Sequence, residues 1–216
     1  MASSNGNRFW SRVFAQLYDR VLAPTEEAGL AARRRDVLAS ASGRTLEIGA
    51  GTGLNVDHYP EHAGSIVLSE PDSHMVAKLR TRIAERPRDA FFEVVECSAQ
   101  ELPFPNGSFD TVVCTLVLCT VPDPERTLSE VARVLAPGGQ LLFIEHVLGD
   151  GSTARWQRLL ARPWQAVACG CRCDRPTAQT ISASKLELVS VTAGRMPKAA
   201  KIIKPMIHGR AVLPRA

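Results

Sequence analysis

Leu46-Glu47-Ile48-Gly49-Ala50-Gly51-Thr52-Gly53 is the stretch from which the rest of the chain can be read. Leu46 to Ile48 read as the end of a buried strand. Three glycines at alternate positions then turn the backbone sharply. Glycine takes positive φ without a steric penalty and lets a ligand approach the main chain with no Cβ between them. A strand that enters such a turn and leaves it in a helix forms the ligand-binding corner of a doubly wound α/β sheet.

Alternation of strands and helices on either side supports that reading. Thr45–Ile48, Ser65–Ser69, Ala90–Val95, Phe109–Thr115 and Gln140–Val147 read as five strands. Phe109–Thr115 is a continuous apolar run, as a parallel strand buried on both faces requires. Between the strands, Leu54–Tyr59 is expected as a short helix broken by Pro60. Ser73–Ala84 and Pro124–Leu135 are longer ones, with apolar stripes at helical spacing. Five alternations imply a mostly parallel sheet with helices on both faces. After residue 150 the pattern changes. Thr153–Ala168 reads as a helix, a cysteine-rich loop follows, and Lys185–Val191 and Ile202–Val212 are expected to close the sheet as an antiparallel pair. Upstream, residues 1–7 read as a flexible N-terminus and Arg8–Leu22 as an amphipathic helix, which Pro24 ends unless it begins the next one. Glu26–Ser40 reads as a second helix, with Arg33, Arg34 and Arg35 on a solvated face. The expected organisation is a lid segment over residues 1–22 and one catalytic domain over 23–216.

Bulk properties exclude several classes. The chain has 216 residues, 45% hydrophobic and 22% charged, with a net charge of +4. It is long enough for one α/β domain. Its basic residues are dispersed, so nucleic acid is not an expected partner. No apolar run reaches 18 residues, and the first residues lack a signal-peptide core, so a cytoplasmic location is expected. The six cysteines form no Cys-x-x-Cys pair. Cys169, Cys171 and Cys173 alternate rather than follow zinc spacing, and no histidine lies near them in sequence. A reduced loop and no metal are therefore expected.

The spacing of the glycines bears on the ligand. A dinucleotide fingerprint places glycines at positions one, three and six. Here Gly49 and Gly51 fill the first two, but position six is Leu54 and the third glycine comes one place early, at Gly53. This argues against NAD. Glu70 ends the second strand about 20 residues on, where a carboxylate accepts ribose hydroxyls. Ser98-Ala99 follows the third strand, where it can meet an adenine edge. Cys114 and Leu116 close the fourth strand on the same carboxyl edge of the sheet.

The runs EIGAGTG, Glu70-Pro71, SAQELPFPNGSFDTVV and EVARVLAPGGQLLFIEH together resemble class I S-adenosylmethionine-dependent methyltransferases. The stretches VVCTLVLCTV, Trp156 to Cys171 and IHGRAV extend the similarity to the methyltransferase-like alkyl-thiol methyltransferases of mammals. The resemblance implies a Rossmann-like fold and a small-molecule methyl acceptor. It implies that Glu47, Gly49, Ala50, Gly51 and Gly53 hold the methionine part of S-adenosylmethionine, and that Glu70 and Pro71 hold the ribose. Met75 would cover the adenine. Ser98 stands where that family often has Asp, and Tyr18, in a Tyr-Asp pair, lies in the segment that closes over the cofactor. The mammalian proteins carry an apolar N-terminal anchor; the amphipathic helix here does not match it, so no membrane attachment is carried over.

Methyl transfer from a sulfonium is an in-line displacement of an activated leaving group, so alignment and exclusion of water are the main demands. A thiol acceptor, with pKa near 8.5, needs only a small push to thiolate. His146, at the carboxyl end of the fifth strand, is the candidate base, and Cys119, Trp164 and His208 are candidate pocket residues. Cys171 is a candidate pocket or redox-sensitive thiol. The sequence leaves open a nitrogen or oxygen acceptor, a NAD-dependent oxidoreductase, and a non-methyl reaction on the same fold.

Overall fold

The computed structural model describes residues 5–86 and 92–215. Seven strands form one sheet: β1 (Gly43–Ile48), β2 (Ala63–Ser69), β3 (Phe92–Val95), β4 (Phe109–Thr115), β5 (Leu135–His146), β6 (Glu187–Arg195) and β7 (Pro205–Val212). Their order is β3-β2-β1-β4-β5-β7-β6. The first five are parallel to their neighbours, and β7 runs antiparallel to both β5 and β6. The doubly wound sheet with an antiparallel end is therefore the observed architecture. Residues 90 and 91 of the expected third strand lie outside the described residues, as do residues 1–4.

Six α-helices surround the sheet: α1 (Asn5–Thr25), α2 (Ala31–Leu38), α3 (Ser73–Ala84), α4 (Pro124–Val134), α5 (Gly151–Val167) and α6 (Thr177–Ser182). On one face Leu128 and Val131 of α4 pack with Leu46, Ile48, Val112, Leu141 and Phe143. On the other, Leu38 of α2 meets Val113 and Leu142, and Leu79 of α3 meets Ile66 and Leu68. Asp72 caps α3 by accepting the amides of His74 and Met75, and Asp123 caps α4 through the amide of Arg126.

Several sequence expectations are corrected. Asn5–Asn7 belong to α1, and Pro24 does not end that helix. The chain passes through the missing N–H into a π-helical turn, Glu26–Leu30, where Ala31 N–H reaches Glu26 O. It then kinks at Gly29, whose φ of +133° suits only glycine. The expected helix over Leu54–Tyr59 is a single 3₁₀ turn, Val56–His58. Arg34 is not solvated; it is 3% exposed. α6 occupies a stretch with too few turns to leave a periodic signal.

Candidate active site

Strand order reverses between β1 and β4, so the ligand crevice lies outside their carboxyl ends. Gly49, Gly51 and Gly53 all have positive φ there, of 61°, 57° and 87°. Their surroundings differ. A Cβ on Gly49 would come within 2.7 Å of Val117, and one on Gly53 within 2.7 Å of Leu79. A Cβ on Gly51 would meet no protein atom within 4 Å. Gly49 and Gly53 are thus glycine for packing, whereas Gly51 borders open space. Its N–H donates to Glu70 Oε2 at 2.9 Å, and Glu70 Oε1 accepts from Asp72 N at 3.0 Å. Glu70 is 8% exposed, and burial pushes its carboxyl pKa up. The carboxylate is held at the rim of the clear space over Gly51, which fits a group bearing ribose hydroxyls.

Ala50 is anchored to the end of β2 through its N–H to Ser69 O. Met75 lies buried on the first turn of α3, Pro71 and Ser98 are exposed on the same edge, and Ala99 is buried beneath them. The Ser98 hydroxyl accepts the Gln100 N–H at 3.2 Å, closing its own loop. Cys114 is fully buried and points to Glu145. Leu116 takes φ of 60°, a left-handed turn rare for a side-chain-bearing residue, and so bends the chain off β4.

Glu47, buried at the end of β1, leads into the turn. Its carboxyl accepts from Asn55 Nδ2 at 2.9 Å and the Tyr59 hydroxyl at 2.7 Å. Asn55 also donates to Thr115 and accepts from Arg34, whose guanidinium is paired with Glu26 at 2.9 Å. This buried chain ties β1, β4 and the π turn together. Sequence reasoning missed Asn55 and put Arg34 on a solvated face, because their partners lie 8 to 60 residues away. Burial raises the Glu47 pKa to about 7, against the donors that lower it. Between about pH 4.5 and 7 the native chain therefore binds more protons here than the unfolded chain, and stability falls as pH rises through that window. Glu47→Gln is expected to remove up to about 3 kcal/mol of that fall. Denaturant unfolding at pH 5 and pH 7 measures it; an unchanged difference in the variant would refute the assignment.

α1 is clamped over the turn. The Thr52 hydroxyl donates to Asp19 at 2.5 Å, and Asp19 pairs with Lys78 and Arg82 of α3 at 3.6 and 3.3 Å. One residue earlier, Tyr18 packs against Phe14, and burial raises its pKa.

On the far side of the crevice stands His146, at the end of β5 and 7% exposed. Its Nδ1 lies 3.8 Å from Cys119 Sγ and 3.7 Å from Cys171 Sγ, and its Nε2 lies 3.3 Å from Met196 Sδ. The expectation that no histidine stands near the cysteine-rich loop is thus corrected. That loop is stitched to the segment after β4 by Arg172 N to Cys119 O and by Arg175 to Leu118 O, so residues far apart in sequence converge. The hydrogen bond to Cys171, with burial added to it, holds the Cys119 pKa well up, while the same bond and the imidazole bring Cys171 down. Trp164 borders Cys171. His208 instead faces α2, bonded to Arg33. Behind this cluster Glu145, wholly buried, accepts the amides of Val117, Leu118 and Cys119 at 2.8 to 3.2 Å. It fixes the loop that carries both Cys119 and Val117, and Val117 in turn covers Gly49.

Comparison with known proteins agrees with this geometry. A family described as "Methyltransferase domain" matches residues 46–143. The chain is similar to Thiol S-methyltransferase TMT1A of Homo sapiens, with 37% identity over 77% of this chain and 69% of that protein. It is similar to Thiol S-methyltransferase TMT1B of Homo sapiens, with 32% identity over 89% of this chain and 83% of that protein. Among solved structures, geranyl diphosphate C-methyltransferase from Streptomyces coelicolor A3(2), in complex with Mg2+, geranyl-S-thiolodiphosphate and S-adenosyl-L-homocysteine, superimposes with a TM-score of 0.66. That match has 14% identity and covers 87% of this chain and 76% of the other.

Proposed function

The chain belongs to the class I S-adenosylmethionine-dependent methyltransferases, on the branch that holds the thiol S-methyltransferases, and from that premise we propose that it methylates the sulfur of a small alkyl thiol. The observation that carries the reading is the clear space over Gly51, bordered by the fixed carboxylate of Glu70. S-adenosylmethionine supplies a methyl group on a sulfonium, already activated for displacement. Gly51 gives its methionine part a main chain with no intruding side chain, in the turn that Gly49, Ala50 and Gly53 shape and over the strand end that Glu47 anchors. Glu70 and Pro71 take its ribose, and Met75, Ser98 and Ala99 its adenine. Cys114 and Leu116 close the β4 edge. Tyr18 and the segment before Pro24 form the lid, kept down by Asp19.

His146 holds or accepts the proton of the acceptor. Its Nδ1 points at sulfur-bearing neighbours rather than at a carboxylate, an environment that suits a soft nucleophile. Arg and Lys are dispersed along the chain, so a small molecule and not nucleic acid is the acceptor. No helix among the described residues is long and apolar enough to cross a membrane. Six free cysteines suit the reducing cytoplasm.

A panel of alkyl thiols, amines and phenols, with S-adenosylmethionine as donor, tests the reading. Turnover is expected on thiols; turnover confined to amines or phenols would overturn the sulfur acceptor. Titration calorimetry is expected to detect S-adenosylmethionine and not NAD. His146→Ala is expected to lower kcat by about 10- to 100-fold and leave the donor affinity within about twofold. Unchanged kcat would remove His146 from the reaction.

A further inference from the structure

The Cys119, His146 and Cys171 side chains do more than line a pocket. Their ligand-type atoms, the two Sγ and Nδ1, all lie within 4.8 Å of one another, and all three residues are buried. A tetrahedral Zn2+ has bonds of about 2.3 Å to sulfur and about 2.05 Å to nitrogen, which sets S···N edges near ~3.6 Å and an S···S edge near ~3.8 Å. The observed S···N separations are 3.8 and 3.7 Å. Both S···N edges are thus within about 0.2 Å of the tetrahedral value, and the S···S separation is no more than 4.8 Å. We propose that Cys119, His146 and Cys171 form a three-ligand site for a thiophilic divalent cation, Zn2+, with the fourth position open.

The surroundings support the ligand set. Nε2 of His146 is directed at the Met196 thioether, which leaves Nδ1 as the lone-pair nitrogen facing the sulfurs. Cys119 is fixed at its N–H by Glu145 and at its carbonyl by Arg172 N. The indole Nε1 of Trp164 is buried without a hydrogen-bond partner, beside Cys171. A metal-bound thiolate there would accept a hydrogen bond from it. Two thiolates balance the charge of the dication, and each cysteine binds it as thiolate. Two protein thiolates and one imidazole with a vacant position is a pattern of catalytic rather than structural zinc. The alternate spacing of Cys169, Cys171 and Cys173 hid it, because only Cys171 of the three takes part.

The site itself stands apart from the choice of acceptor. Only its fourth ligand rests on the sulfur-acceptor reading: an alkyl thiol there would form a Zn–S bond as its S–H bond breaks and the proton passes to solvent water, since a coordinated thiol is deprotonated outright. The ion would then perform the task assigned to His146 Nδ1 in the metal-free chain.

Co2+ titration of reduced, chelator-stripped protein tests the proposal. One equivalent is expected to bind with thiolate-to-cobalt charge-transfer absorption and tetrahedral visible bands, and Zn2+ is expected to displace it. At a hundredfold excess of Zn2+ over Kd, Tm is expected to rise by about 5 °C or more. The absorption should be lost in Cys119→Ser, Cys171→Ser and His146→Gln. It should persist in Cys173→Ser, a buried neighbour outside the site. Each variant is first checked for its native far-ultraviolet spectrum, and two folded ligand variants suffice. No charge-transfer band in the parent chain, or a band retained in the ligand variants, overturns the site. Thiol methylation without a cobalt band overturns the site and leaves the acceptor reading standing. A cobalt band without turnover of any thiol does the reverse.

Discussion

Gly51→Ala is expected to weaken S-adenosylmethionine binding at least ~100-fold, about 2.7 kcal/mol, and to lower Tm by only about 3–6 °C. The two effects separate because of what surrounds the residue. At φ of 57° an alanine carries strain of roughly 1–2 kcal/mol, which in a chain of this size lowers Tm by a few degrees. Its methyl meets no protein atom, so the fold has nothing to rearrange. The methyl instead enters the space that the donor needs, and the N–H beside it is the one that fixes Glu70. Gly49→Ala and Gly53→Ala make the control, since their Cβ atoms would stand 2.7 Å from Val117 and Leu79. These two should lower Tm more than Gly51→Ala does. Calorimetry and thermal melts on the three variants read both quantities. Donor affinity in Gly51→Ala equal to the parent's would show that the donor lies elsewhere.

This contrast among three glycines marks the boundary of what the sequence can disclose. The run Glu47–Gly53 discloses a strand, a sharp turn and a helix-side packing demand, because glycine's conformational freedom is a local property. α3 over Ser73–Ala84 and β4 over Phe109–Thr115 are legible, the first from its apolar stripe, the second from its unbroken apolar run. Local patterns fail where tertiary contact decides. Nothing within one turn of Arg34 says that it is buried; Glu26 and Asn55 say so, from 8 and 21 residues away. Pro24 reads as a helix boundary, yet α1 runs through it to Thr25. Glu47 matches a cofactor-holding motif, while its carboxyl is occupied by Asn55 and Tyr59. Cys119, His146 and Cys171 come from a loop after β4, the end of β5 and the segment after α5. Separations of 27 and 25 residues give no spacing to recognise.

Glu145→Ala is expected to destabilise the chain by on the order of 5 kcal/mol, because each buried donor left without a partner costs about 1–3 kcal/mol. Three amides, Val117, Leu118 and Cys119, end on this carboxylate, and the Cys114 thiol is a fourth donor. At this chain length the loss corresponds to a fall in Tm of about 10–20 °C. Water does not readily replace the lost oxygens, since the residue has no exposed surface. Glu145→Gln separates folding from function. Its carbonyl can take the place of Oε1 and keep the amides of Val117 and Leu118, but its NH2 would face the Cys119 amide, donor against donor. A smaller loss of stability, about 2 kcal/mol, is expected, with the strain concentrated at Cys119. Since that segment carries Val117 onto Gly49 and Cys119 toward His146, the folded Gln variant should lose turnover at a temperature where it remains fully native. Thermal melts, paired with steady-state rates well below Tm, make the measurement. An Ala variant within about 1 kcal/mol of the parent would mean the three amides find other acceptors. The carboxylate would then not be what joins the two sides of the site.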